Sequence, residues 1–115
     1  AVDICYTGAQ MEGPKVSEAW KIKKDHPFTR ACAEALEAVG QPVKYGHWSF
    51  ATDGSVTAGY YKKPTIGFSA MQEQFAHTPY DKCRTDFIEL AIAGNASIFL
   101  KASEMPREDF KKLEF

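Results

Sequence analysis

Residues 26–42, HPFTRACAEALEAVGQP, carry the strongest helical pattern in this chain. Pro27 suits the first turn of a helix, and Gly40 with Pro42 beyond it provides a stop signal. Apolar side chains recur at intervals of three and four residues, which places them on one stripe of a helix. They are Phe28, Ala31, Cys32, Ala35, Leu36 and Val39. The sequence therefore predicts a helix that packs against the core and ends near Gly40.

Runs of β-branched and aromatic residues on both sides of this helix predict strands. They are Val2 to Gly8, Pro42 to Phe50 and KPTIGFSA at 63–70. Residues 9–25 are predicted to form a linker or an extended crossing segment. After the turn at Asp53, a short helix would place Val56 and Tyr60 inward. A long helix from Tyr80 to about Lys101 is apolar on more than one face, which suggests burial on two sides. This order indicates an α/β fold with a small parallel or mixed sheet and flanking helices.

The composition excludes several classes of partner. The chain has 115 residues, a net charge of −1 and a pI near 6.3, which argues against nucleic acid and membrane surfaces. No apolar run reaches the roughly 18–20 residues that span a bilayer. The three cysteines are widely spaced and form no CxxC motif, which favours buried structural thiols and a reducing cytoplasm.

His77, in QFAHTPYD at 74–81, is the first candidate for chemistry. In α/β folds, ligand sites gather at loops that leave the carboxyl ends of strands, and His77 follows the predicted Ile66 strand. By spacing alone, a structural or solvated histidine remains the commoner outcome, although imidazole is also the commonest protein metal ligand. No second ligand stands at a zinc-site spacing such as HxxxH. Glu73 and Asp81 are the nearest acids.

Other candidates leave alternatives open. Asp53 and Gly54 form a turn dipeptide, which either only turns the chain or presents Thr52 and Asp53 to a ligand. Small residues at Gly67, Ser69 and Ala70 allow either a close ligand approach or tight packing. His26 and His47 have structural interpretations. A Cys83 thiol with His77 as its base is a further possibility, although Cys83 would lie in the first turns of the long helix.

An ordered set of motifs resembles the C-terminal portion of the dizinc amidohydrolase and metallopeptidase family. The family includes aminoacylase, acetylornithine deacetylase, succinyl-diaminopimelate desuccinylase and glutamate carboxypeptidase, and the nearest subgroup is the selenium-metabolism hydrolases. The motifs are TDG at 52–54, KPTIGF at 63–68 and AHTPYD at 76–81. The resemblance covers roughly residues 15 to 101. It implies that residues 1–15 end an inserted lid domain and residues 16–115 belong to the catalytic domain.

The resemblance also implies roles for particular residues. His77 would be a zinc ligand, while Thr52, Asp53 and Gly54 would lie near the substrate. The Gly67–Met71 loop, including Ser69, would help to hold the substrate's carboxylate or amide. The complete enzyme would bind two Zn²⁺ ions, with its general-base Glu upstream, and would cleave amide bonds of small N-acyl amino acids or short peptides.

Departures from the family pattern limit these expectations. GFSAM replaces the usual GFGPG, and PYD replaces PNE. One imidazole cannot hold two zinc ions, and the family's upstream H-x-D and E-E region is missing. The chain is therefore expected to be a fragment that is inactive alone and needs the missing N-terminal part of the catalytic domain and lid. Its Cys5 strand would be free to pair with another copy in a homodimer. The alternative is a noncatalytic α/β binding or interaction module on the same scaffold.

Overall fold

The computed structural model describes the backbone of residues 2–4, 10–12 and 18–113, and the side chains of residues 18–113. Val2–Ile4 (β1) and Gln10–Glu12 (β2) form an antiparallel pair with Val2 opposite Glu12. The described α-helices are Pro27–Ala38 (α1) and Thr85–Ser103 (α2). Shorter helical turns complete the described elements: a π-helix at Ser55–Tyr60 and 3₁₀ turns at Glu73–Phe75 and Arg107–Phe110.

The N-terminal strands bear on two predictions. β1 lies within the strand predicted from Val2 to Gly8, while residues 5–9, including Cys5, lie outside the described part of the chain. β2 falls in the segment predicted to be a linker or an extended crossing segment. β1 pairs with β2 along one edge, so the backbone hydrogen-bonding groups of that edge need no pairing with another copy of the chain.

α1 confirms the helix predicted from its apolar stripe. His26 caps its first turn, because its Nδ1 accepts a hydrogen bond of 3.0 Å from the Phe28 amide, and Pro27 follows as the first helical residue. The structural role predicted for His26 is thus confirmed. The helix ends at Ala38, and Gly40 adopts a φ of 78°, a left-handed conformation that glycine tolerates.

The core lies where α1 crosses α2. Cys32 and Ala35 of α1 are buried with Ile98 of α2, and Phe28, Leu36, Ile66 and Phe68 pack around them. The Ser97 hydroxyl donates a 2.7 Å hydrogen bond to the Ala35 carbonyl and joins the two helices. Gly94 permits the close approach, because a Cβ there would lie 2.7 Å from the Phe68 ring. Phe110 of the last 3₁₀ turn closes one end against Phe28, with ring centroids 5.7 Å apart.

The predicted α/β fold is wrong for the described structure. Residues 18–113 contain no strand, and the only described sheet is the β1–β2 pair. The segments at 42–50 and 63–70 form no strand ladder with each other. Ile66 and Phe68 pack directly onto α1 and α2 instead. Strand propensity largely reflects how well β-branched and aromatic side chains pack on a half-buried surface. These two side chains pack in that way here without forming a strand.

Two further expectations need correction. Val56 and Tyr60 do not face inward, since they are 52% and 70% exposed; Ala58 and Gly59 are the buried residues of the π-helix. α2 begins at Thr85 rather than at Tyr80.

The outer face of α2 is apolar and exposed. Gly94 and Ile98 face the core, whereas Ile92, Phe99 and Leu100 are 66%, 74% and 65% exposed. The burial on two sides expected from the sequence is therefore not seen among the described residues. Within those residues, no helix is both long enough and apolar enough to cross a bilayer.

Candidate functional site

His77 lies in a tight turn that exposes its side chain. Its φ of 60° is in the left-handed region, which costs a non-glycine residue about 1–3 kcal/mol. The adjacent Thr78 fixes the turn: its hydroxyl donates a 2.7 Å hydrogen bond to the Phe75 carbonyl and accepts one of 3.2 Å from the Tyr80 amide. Among the described residues, the His77 imidazole has no hydrogen-bond partner. Its ring nitrogens remain available for a ligand.

The His77 ring packs against Phe50. The ring centroids are 5.8 Å apart and the planes meet at 87°, an edge-to-face arrangement that aromatic rings favour. Phe50 ends the segment 42–50, for which the sequence predicts a strand and which is an irregular loop in the structure. The contact brings His77 next to a second loop that is 27 positions earlier in the chain.

Phe50 also lines an open cavity of about 750 Å³. This cavity lies between residues 20–25, one face of α1, the segment 43–50 and residues 66–68. Thr52 and Gly67, both predicted to contact substrate, are in its wall. The volume is within the range of roughly 300–1,000 Å³ that small-molecule sites occupy. His77 thus stands beside a cavity wall that includes two of the predicted substrate residues.

A carboxylate holds the His77 loop to the Phe50 loop. Glu73 Oε1 accepts hydrogen bonds from the Ser49 amide at 2.7 Å and from the Ser49 hydroxyl at 2.5 Å. These bonds stabilise the ionised carboxylate and lower the pKa of Glu73 below its usual value of 4.5. The Glu73 carboxylate therefore accepts hydrogen bonds from Ser49 and makes none with His77.

The turn predicted at 52–54 is confirmed. The Thr52 hydroxyl accepts a 3.2 Å hydrogen bond from the Gly54 amide, and the Thr52 carbonyl accepts one of 3.0 Å from the Ser55 amide. Gly54 is buried under the Trp20 ring, so its role here is close packing. Asp53 is exposed and is not in the cavity wall.

The GFSAM segment also folds through local contacts. A Cβ at Gly67 would lie 3.2 Å from the Trp48 ring, so this glycine allows tight packing against the indole. The Ser69 hydroxyl accepts a 3.1 Å hydrogen bond from the Met71 amide, and Ser69 lies outside the cavity wall. The structure thus brings Gly67 to the cavity and leaves Ser69 on the surface beside it.

The described cysteines differ in environment. Cys83 is exposed in the loop before α2, not within its first turns, and its thiol donates to the Ala70 carbonyl at 3.3 Å. No hydrogen bond joins Cys83 to His77 in the described part of the chain. Burial raises the pKa of Cys32 to about 11, which suppresses its thiolate. Cys83 has no hydrogen bond to His77 and Cys32 is held as a thiol, so the structure does not support a cysteine nucleophile with His77 as its base.

Sequence reasoning missed the residues that connect the two loops. Glu73 stands out in the sequence as an acid near His77, but nothing there indicates its contact with Ser49 or that Phe50 lies against His77. The one available signal is the aromatic run HWSF at 47–50. The contacts between them are separated by more than 20 positions, which no local pattern reveals. His47 lies in the same exposed loop and also lines the cavity, so the strand position predicted for it is wrong.

No protein-family model matches this chain, and no characterised protein or solved structure matches it. The resemblance to the dizinc hydrolases therefore stays a prediction that rests on the three motifs at 52–54, 63–68 and 76–81.

Proposed function

We propose that this chain is the C-terminal part of a cytoplasmic zinc-dependent hydrolase. The complete enzyme cleaves amide bonds of small N-acyl amino acids or short peptides, and His77 supplies one of its metal ligands. The chain also contributes part of the substrate pocket, and it is inactive without the remainder of the catalytic domain.

The position of His77 carries the proposal. Its imidazole is exposed and unpaired among the described residues, in a backbone conformation that costs free energy. Its ring packs against Phe50. Phe50 lines a cavity that Thr52 and Gly67 also line. Backbone strain clusters at functional sites, which supports a ligand role for His77.

The described residues fit one ligand position and not a complete metal site. In residues 18–113, no three His, Cys, Asp or Glu side chains are grouped so that they could hold a metal ion. The Glu73 carboxylate is held by Ser49. When bound, two zinc ions would activate a water molecule and polarise an amide carbonyl. The other ligands and the general base must therefore come from elsewhere in the complete enzyme.

The exposed face of α2 supports the same conclusion. Ile92, Phe99 and Leu100 leave an apolar surface on a helix whose residues 87–100 include a single charged side chain, Glu89. Helices that are apolar on all sides are usually buried on all sides. The remainder of the catalytic domain, which also has to supply the missing ligands, is the partner we propose for this face.

A noncatalytic binding module is the second candidate. The cavity favours this candidate, because a small molecule could bind there without a metal ion. The GFSAM loop favours it too, because it departs from the family pattern. The α/β scaffold predicted for such a module is wrong for the described residues, since residues 18–113 contain no strand. The upstream gene sequence separates the candidates: an H-x-D and E-E region favours the hydrolase, and its absence favours the binding module.

Amide hydrolysis by the full-length parent protein tests the proposal. A panel of N-acetyl amino acids and dipeptides is assayed with zinc and again with a chelator. We expect hydrolysis that the chelator abolishes, and we expect His77→Ala to reduce it by at least a hundredfold. This 115-residue chain should show no hydrolysis under the same conditions.

Gln74→Ala is the control, because Gln74 is exposed three residues before His77 and lies outside the cavity wall. It should retain activity within about twofold. Full activity in His77→Ala, or hydrolysis that is indifferent to chelators and depends on Cys83, would contradict the proposal.

A further inference from the structure

The wall of the 750 Å³ cavity is strongly basic, although the chain as a whole is slightly acidic. Among the described residues of the wall, four are lysines and Asp25 is the only carboxylate. The lysines are Lys21, Lys23, Lys24 and Lys44. The net charge of the whole chain is −1. The described wall is therefore net positive in a chain that is net negative.

Within residues 18–113, no carboxylate forms an ion pair with these lysines. Lys24 instead places its Nζ 4.9 Å from the centre of the Tyr45 ring, a cation–π contact. An anion that enters the cavity would consequently meet unpaired positive charge.

The same wall is rich in aromatic rings. Trp20, Tyr45, Trp48, Phe50 and Phe68 all line the cavity. Trp48 and Phe50 contact one another, with centroids 6.0 Å apart. Flat apolar surfaces of this kind favour a ligand that has its own ring.

We propose that this cavity binds a small organic anion that carries an aromatic ring. The ring packs against the tryptophans and the anionic group lies beside Lys23 and Lys24. As a statement about substrates, this inference rests on the proposed function. It narrows the substrate class to amides of amino acids that carry an aromatic side chain and a free carboxylate. As a statement about binding, it does not depend on zinc or on the rest of the hydrolase.

The only two tryptophans of the chain, Trp20 and Trp48, are both in the wall, so intrinsic fluorescence reports binding directly. The chain is titrated in EDTA with three probes: 3-phenylpropionate, its neutral amide 3-phenylpropanamide, and 3-cyclohexylpropionate. We expect the aromatic anion to bind at least fivefold more tightly than either of the other two. Its affinity should fall in about 1 M salt, where the screening length is only about 3 Å.

The chain offers a matched pair of charge variants. Lys23→Gln with Lys24→Gln should weaken binding of 3-phenylpropionate at least fivefold. Lys111→Gln with Lys112→Gln removes the same charge from exposed residues outside the cavity and should leave the affinity unchanged. Circular dichroism checks the fold, and Lys44→Gln serves as a second test if the first variant unfolds.

Equal affinities for the acid and the amide, equal effects of the two lysine pairs, or no binding of any probe would overturn the inference. Because EDTA is present throughout, these outcomes concern the cavity alone. If the parent protein showed no zinc-dependent hydrolysis, the proposed function would be wrong, but binding measured in the titration would still support the anion site.

Discussion

The ring of His77 stands edge-on to the ring of Phe50, with their centroids 5.8 Å apart. The neighbouring Ser49 is bound through its amide and its hydroxyl to the Glu73 carboxylate. The loop that carries His77 is thus joined to the 42–50 segment by a pair of hydrogen bonds to a carboxylate and by a ring contact. The left-handed turn at His77 is itself held by the hydrogen bonds of Thr78.

The link between Glu73 and Ser49 should depend on pH. Hydrogen bonds from Ser49 lower the pKa of Glu73, so the ionised form is favoured in the folded chain. The stability from this link is fully present above the unfolded pKa near 4.5 and is lost as the pH falls through the lower, folded value. The amide proton shift of Ser49, followed by NMR, should titrate with a midpoint below 4.5.

Glu73→Gln should abolish this titration, whereas Glu89→Gln on the exposed face of α2 should leave it intact. The variant at Glu73 should also shift the ring protons of His77, because the loop moves relative to Phe50. A midpoint at or above the ordinary carboxyl value would show that the link does not form in solution.

Gly94→Ala should destabilise the crossing of α1 and α2. The added Cβ would lie 2.7 Å from the Phe68 ring and 2.9 Å from a Leu36 methyl. Overpacking of this kind costs about 1–3 kcal/mol, measurable by urea unfolding. Gly46→Ala is the control, because its Cβ would meet no atom within 4 Å, and its effect should stay within about 0.5 kcal/mol. Equal effects at both positions would contradict the packing described.

The orientation of α2 can be tested at two adjacent residues. Ile98 is 9% exposed and Phe99 is 74% exposed. Ile98→Ala should therefore cost about 2–5 kcal/mol of the free energy of unfolding. Phe99→Ala removes a larger side chain but should change it by only about 0.5 kcal/mol. The reverse order would mean that α2 is rotated relative to this structure.

The described cysteines should react at different rates. Cys83 is exposed, whereas Cys32 is buried and its pKa is raised to about 11. Because the thiolate is the reactive form, iodoacetamide at pH 8 should label Cys83 rapidly and spare Cys32 until the chain unfolds. Peptide mass mapping assigns each label, and denaturant serves as the control. Early labelling of Cys32 would contradict its burial.

Local patterns predicted the helices better than the sheet. The stripe from Phe28 to Val39 identified α1 because helical periodicity, a first-turn proline and a stopping glycine all agree. Its last member, Val39, was wrong as a core residue, since it lies just past the helix and is 38% exposed. The segments at 42–50 and 63–70 were read as strands because they are rich in β-branched and aromatic residues. A strand also needs a hydrogen-bonded neighbour, and that neighbour cannot be read from the segment itself.

The site shows the same division. The turn at Thr52 was predictable because an Asp-Gly dipeptide determines it locally. The packing of His77 on Phe50 and the bond between Ser49 and Glu73 depend on two distant loops, so no spacing rule indicated them. The proposed role of His77 came from an ordered set of motifs, while its exposure and its neighbours came from the structure.

Zinc content of the full-length parent protein tests the central proposal most directly. The purified protein is analysed by mass spectrometry of its metals, beside His77→Ala and the control Gln74→Ala. We expect about two zinc ions per chain in the parent protein and in the control, and the loss of at least one ion in His77→Ala. Unchanged zinc content in a folded His77→Ala protein would contradict the assignment of His77 as a metal ligand.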